Sequence, residues 1–281
     1  MLMFSRRHSM LIFETQESKQ GTPFVPEVNS MITESFDSKS EPIITPMSFF
    51  GEKKHLCDIA IATFSREIYS SVLERFEHEQ VGEICTANHT RPIYLLSAGG
   101  RKVGFYLSEI GSALASACVI DVNWQTGAEK FIMFGSAGAL DNDVTSGKYV
   151  IPTDAYRDEG LSYHYAPPAD YIAVRNAERL AAIFDAHRFP FVMGKVWTTD
   201  AFYRETREML RRRKTEGCIA VEMELAGVQA VCDYYGFELY DFLVTGDVVD
   251  QPEYTPDGLY EANHSRDKFD VALVIAESIG T

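Results

Sequence analysis

From residue 57 onward, hydrophobic positions alternate between short unbroken runs and longer stretches of helical period. Residues 57–64 (CDIAIATF) form a continuous apolar, β-branched run of strand length. Ser65-Arg66-Glu67 then opens a helix reaching about His78. Residues 93–97 and 102–108 read as the strands of a hairpin turned through Ala98-Gly99-Gly100-Arg101. A small-residue helix follows residues 108–113 and runs to Trp124. Residues 130–138 (KFIMFGSAG) make a second buried strand, and 149–153, 191–197 and 239–245 make three more. Helices are expected at 176–187 and 265–279, and the basic run at 211–214 reads as a solvated helix end. Strands alternating with helices place the chain in the α/β class.

Residues 217–236 (GCIAVEMELAGVQAVCDYYG) predict one further helix, bracketed by Gly217 and Gly236, with Gly236 suited to a left-handed C-terminal cap. Met223, Gly227, Ala230 and Tyr234 fall on one apolar stripe of it. Glu222 and Glu224 flank the methionine. At about 100° per residue they point about 200° apart, so both cannot be solvated charges on one face. An amphipathic helix with exposed glutamates is the structural alternative, and the small apolar surroundings count against it.

Composition narrows the function. The chain of 281 residues is 46% hydrophobic, enough for one large domain with a sizeable core or for two small ones. A net charge of −15 argues against nucleic acid and anionic membrane surfaces, so any anion must be held by local amides and a few placed cations. Cys57, Cys85, Cys118, Cys218 and Cys232 sit in apolar segments with no Cys-x-x-Cys pair. They are expected to be reduced, buried thiols of a cytoplasmic protein, with no metal. No apolar run approaches the ~18 residues of a membrane span. Residues 1–45, rich in Ser, Thr, Glu and Pro, read as an extension, largely disordered at least to residue 30, and Met31 is an alternative start. The catalytic domain is expected at 46–281.

Glu222-Met223-Glu224 resembles the ribose-binding segment of the nucleoside phosphorylase and nucleosidase superfamily, and further segments in the matching order extend the resemblance over most of residues 55–281. The resemblance implies a single three-layer α/β domain, with a central mixed β-sheet flanked by helices. It also implies a homo-oligomer, as dimer, trimer or hexamer, with shared sites. Met223 and Glu224 would hold the sugar. A carboxylate suits a vicinal diol because its two acceptor oxygens match two donors. In residues 130–138, Ser136 matches a phosphate-contacting serine, and Ala137 and Gly138 match the base pocket. Phe202, in the segment 197–203 (WTTDAFY), matches the base-stacking phenylalanine. Asp247, after the last strand, matches the aspartate of purine-specific members. Arg91 matches an arginine that reaches a neighbour's phosphate, with His89 as competitor. Arg66 lies in the first strand-to-helix turn, where members carry a phosphate loop. Residues 157–165 resemble an arginine-bearing loop of the uridine phosphorylase branch.

Several positions depart from the family pattern. Met133 stands where many phosphorylases have a phosphate-binding arginine, and nucleosidases lack that arginine too. Thr206 and Glu208 stand where the uridine branch has Gln-x-Arg. The first turn lacks its glycine, and Glu67 is the nearby carboxylate that could activate water. The resemblance therefore implies phosphorolysis of a ribonucleoside, a purine one by virtue of Asp247, with inorganic phosphate as co-substrate and no other cofactor. Uridine phosphorolysis and hydrolysis by the same fold are the alternatives. A non-catalytic nucleoside-binding protein is a reading from another class.

Overall fold

A computed structural model describes residues 31–280. The expected disorder of residues 1–30 lies outside the described residues. Ten strands follow in order: β1 (Ile59–Thr63), β2 (His78–Cys85), β3 (Thr90–Ala98), β4 (Arg101–Leu107), β5 (Lys130–Ala139), β6 (Tyr149–Asp158), β7 (Tyr171–Ala173), β8 (Phe191–Thr199), β9 (Cys218–Glu222) and β10 (Glu238–Val248). They build one mixed sheet in the order β10-β6-β8-β9-β5-β1-β4-β3-β2, with β7 on β6. β10 also pairs with β5, so half of the sheet closes on itself. Helices flank it, including Arg66–Arg75, Ser112–Thr126, Leu225–Tyr235 and Asp267–Ile279.

β5 is the axis of the core. Phe131, Ile132 and Phe134 on it are at most 1% exposed, and Phe134 stacks on Phe242 of β10 with centroids 5.6 Å apart. Truncating such a ring to alanine typically costs about 3–5 kcal/mol. The unbroken apolar reading of 130–138 follows from burial on both faces.

Four expectations are corrected. Residues 217–236 are not one helix: β9 occupies Cys218–Glu222, Met223 and Glu224 form a turn, and the helix covers Leu225–Tyr235. Gly236 does cap that helix, at φ 77°. The segment His78–Cys85 is a strand that the apolar pattern misses, because this outermost strand buries Ile84 alone. Cys118, Cys218 and Cys232 are buried, but Cys57 is half-buried and Cys85 exposed. The basic run at 211–214 is not wholly solvated. Arg213 is 3% exposed, its guanidinium lies 3.4 Å from the Tyr156 ring centroid, and it pairs with Glu216 at 2.9 Å. No helix among the described residues is long and apolar enough to cross a membrane.

Candidate active site

The site arises where strands run out beside β5. β1 pairs with β5 only as far as Thr63↔Phe134, and β9 takes up the same edge at Gly138↔Val221. Between them Gly135, Ser136 and Ala137 are paired to β10 alone. A gap at the carboxyl ends of strands is where α/β sheets place ligands. Here it opens into a cavity of about 1280 Å³ lined by Gly135, Ser136, Ala137 and Gly138.

One part of the wall is the turn after β9. Glu222 lines the cavity, but its oxygens are committed to the protein. It accepts from Thr198 Oγ1, from the Glu224 amide at 2.7 Å and from the Leu225 amide at 2.8 Å. Its contribution is to fix the turn that presents Met223 and Glu224, both of which line the cavity. Glu224 Oε1 accepts from the Gly111 amide at 2.6 Å, just ahead of the Ser112–Thr126 helix. Ser112 Oγ donates to the Met223 carbonyl at 3.1 Å and ties the same two segments together. Burial raises both carboxyls above their ordinary range, Glu224 further so because the Glu222 charge adds to it.

Another part carries Phe202, Gly138 and Asp247, all lining the cavity. Phe202 is half exposed and its ring packs on Tyr203, with centroids 4.0 Å apart. A Cβ on Gly138 would lie 2.6 Å from Val249 and 3.7 Å from Asp247 Oδ1, so only glycine leaves a flat wall beside the aspartate. Asp247 is 8% exposed and accepts from the Tyr254 hydroxyl at 2.9 Å on Oδ2. Glu205, also in the lining, is pushed up to about 7 by burial and then by the Asp247 charge.

The third part is the Ser136 side. Ser136 Oγ donates to Asn263 Oδ1, and Ser65 Oγ lies 2.7 Å from His264 Nδ1. Met133 is buried here. Lys268 lines this side with its ammonium directed at carbonyls: Ala262, Asn263 at 3.4 Å and Gly135 at 3.5 Å. Burial without a carboxylate partner pushes it down to about 8.

The predicted site residues thus divide. Met223, Glu224, Glu222, Phe202, Ala137, Gly138, Ser136 and Asp247 share one cavity. The two arginines predicted for phosphate do not line it. Arg66 is exposed at a helix start, and Arg91 is held by its own chain, donating to the Ser108 carbonyl at 2.9 Å and pairing with Glu109 at 3.3 Å. His89 likewise pairs with Glu109, and Glu67 accepts from the Tyr260 hydroxyl at 2.7 Å outside the cavity. Arg157, in the uridine-like loop, is buried and donates to Ser162 Oγ and the Pro167 carbonyl, both at 2.7 Å. Lys268, Asp241, Glu205 and Tyr254 line the cavity and were missed. For Asp241 a signal existed: it is a charge inside an apolar run, LYDFLV.

The family model described as the phosphorylase superfamily matches residues 58–274. A DeoD-type purine nucleoside phosphorylase of Bacillus cytotoxicus is 26% identical over 151 residues, covering 53% of this chain and 64% of that relative. The corresponding protein of Colwellia psychrerythraea is 28% identical over 159 residues, covering 56% of this chain and 68% of that one. The chain therefore matches a little under two thirds of the length of the first of these relatives. In fold it is similar to a futalosine hydrolase mutant of Helicobacter pylori, with a TM-score of 0.64 at 16% identity over 80% of this chain and all of that one. It is also similar to a 5′-methylthioadenosine/S-adenosyl homocysteine nucleosidase of Campylobacter jejuni, with a TM-score of 0.63 at 18% identity over 79% of this chain and all of that one. A family match over well over half of the chain, on a fold shared along four fifths of it, means that this chain belongs to the phosphorylase superfamily.

Proposed function

We propose that this protein cleaves the N-glycosidic bond of a purine ribonucleoside, with inorganic phosphate as acceptor, giving free base and ribose 1-phosphate. The observation that carries this is that one cavity is lined by Glu224 on its Met223 turn, by Asp247 beside the flat Gly138 wall, and by Ser136 at the unpaired stretch of β5. Glu224 accepts the hydroxyls of the ribose and Met223 lies against the sugar. Phe202 covers the base. As the C1′–N9 bond lengthens, its electron pair moves onto the base and the sugar takes on oxocarbenium character. Asp247 gives a proton to N7, so the base leaves neutral. Tyr254 holds Asp247 Oδ2, and Oδ1 lies on the Gly138 side. Glu205, a neighbouring carboxyl pushed up to about 7, supplies Asp247 with the proton that it passes on. A phosphate oxygen forms the new bond to C1′. Ser65 and His264 line that side, Ser136 reaches the phosphate by turning its hydroxyl away from Asn263, and Lys268 is the cation there. Purine phosphorylases among the sequence relatives support this reading. The resemblance also supports a homo-oligomer, in which Arg91 would have to leave Ser108 and Glu109 to reach a neighbour's phosphate.

The second reading is hydrolysis. Met133 in the lining, with Arg66 and Arg91 outside it, favours water as the nucleophile, as do fold neighbours named as a hydrolase and a nucleosidase. Base release from inosine, adenosine and uridine, measured with and without phosphate, decides. Release that requires phosphate and prefers the purines supports phosphorolysis. Equal release without phosphate refutes it in favour of hydrolysis, and no release from any nucleoside that binds would leave a binding protein.

A further inference from the structure

Asp241 stands mid-way along β10 between Tyr240 and Phe242, with Met133 of β5 as its Cα partner. It is 1% exposed and lines the cavity. Among the described residues neither carboxyl oxygen has a hydrogen-bond partner. Glu222, equally deep in the same wall, offers the contrast: it has three donors and a clear structural duty. Buried polar groups are almost always paired, and leaving one unpaired costs stability. The strand neighbours that share its face, Met133 and Leu243, are apolar, so a leucine at 241 would suit the wall better. A carboxyl kept there at the expense of the fold, in the wall of a ligand cavity, points to a partner that arrives with the ligand.

The chemistry of that partner follows from the surroundings. Burial, together with the charges of Glu222 and Glu224, raises the Asp241 carboxyl well above its ordinary range. The shift favours the neutral form, which donates one O–H, and in either form the carboxyl has an oxygen free to accept. A carboxyl has no positive charge to offer an anion. It matches a hydroxyl, which also gives and takes one hydrogen bond. The carboxylates that bear on it, Glu222 and Glu224, are those of the turn assigned to the sugar.

We infer that Asp241 is a second sugar-contacting carboxyl, hydrogen-bonded to a ribose hydroxyl alongside Glu224, and that it makes the site selective for a pentose carrying that hydroxyl. This rests on the reading of the cavity as a nucleoside site, but not on whether phosphate or water attacks.

The test replaces the acid by apolar residues, Asp241→Leu and Asp241→Val, and by a neutral polar one, Asp241→Asn. Melting temperature is measured, with kcat/KM on a purine ribonucleoside and on its 2′-deoxy and 3′-deoxy forms. The apolar variants are expected to melt at or above wild type while losing at least tenfold on the ribonucleoside. They should lose no more than threefold on the deoxy form that lacks the contacted hydroxyl. Asn is expected to restore most of the loss. Unchanged ribonucleoside turnover, an equal loss on all three substrates, or a lower melting temperature in both apolar variants overturns the inference. Should the wild type turn over no nucleoside, the proposed function falls by itself. The ribonucleoside-induced rise in melting temperature then decides: its presence in wild type and loss in Asp241→Leu supports the contact, and its absence from wild type or persistence in the variant overturns it.

Discussion

Glu224→Gln isolates the sugar contact with little change of shape. In the native protein the Gly111 amide donates to Oε1 at 2.6 Å. Gly111 immediately precedes a 15-residue helix and has φ 91°, so its N–H direction is fixed by the backbone. In the variant that donor selects the amide oxygen, and the NH₂ group turns toward the sugar. A ribose hydroxyl that met an acceptor then meets a donor. Leaving a buried donor facing that hydroxyl, with neither satisfied, costs about 1–3 kcal/mol. At about 1.36 kcal/mol per decade this is roughly a fivefold to 150-fold fall in kcat/KM. Glu224→Ala also removes the partner of Gly111, so its loss should reach or pass the upper figure. Burial disfavours the native charge, so the Gln variant should melt no lower than wild type. The assay is base release from inosine by ultraviolet absorbance at saturating phosphate, with a thermal melt on the same preparation. Turnover of Glu224→Gln within threefold of wild type would refute the ribose role.

Asp247→Asn should slow inosine and adenosine at least tenfold more than uridine, since uracil has no N7 to protonate; equal losses in parallel assays would remove the acid role. Lys268→Met should raise the phosphate KM at least tenfold with the nucleoside KM within threefold, because a charge-assisted contact is worth about 1.5–3 kcal/mol, and an unchanged phosphate KM would leave the lysine a purely structural clasp on the Ala262 and Asn263 carbonyls. For pH, Glu222 and Glu224 are raised from 4.5 to about 7 and about 8, so the folded state holds protons that the unfolded state gives up. Their contribution to stability is present below about 4.5 and is lost as pH rises through that window, at up to about 1.4 kcal/mol per pH unit for each proton. Melting curves from pH 5 to 8 should therefore fall less steeply in Glu224→Gln than in wild type, and identical slopes would contradict the assignment.

The sequence by itself determined the strands that are apolar on both faces. β1 and β5 are unbroken runs, and the first part of β10 is apolar but for Glu238 and Asp241, so their burial follows from composition, and the α/β class follows from their alternation with helices. It also determined the glycine that ends the Leu225–Tyr235 helix, because a left-handed cap is a local demand. The family pattern carried Met223, Glu224, Ser136 and Asp247 to one cavity. Tertiary structure decided the rest. Residues 218–222 have no strand signature that outweighs the helical period of residues 225–235. They are a strand because Trp197 and Gly138 both pair with Val221 from other parts of the chain. Which polar atoms converge was equally hidden. Arg66 and Arg91 lie beside the expected loops yet face outward or toward Glu109, whereas Lys268 reaches the cavity from the first turn of a helix and Asp241 from a strand interior. A short-range pattern fixes how much of a segment is buried. The direction of a charged side chain depends on contacts such as Gly111 to Glu224, made across 113 residues, and those exist only once the sheet has closed.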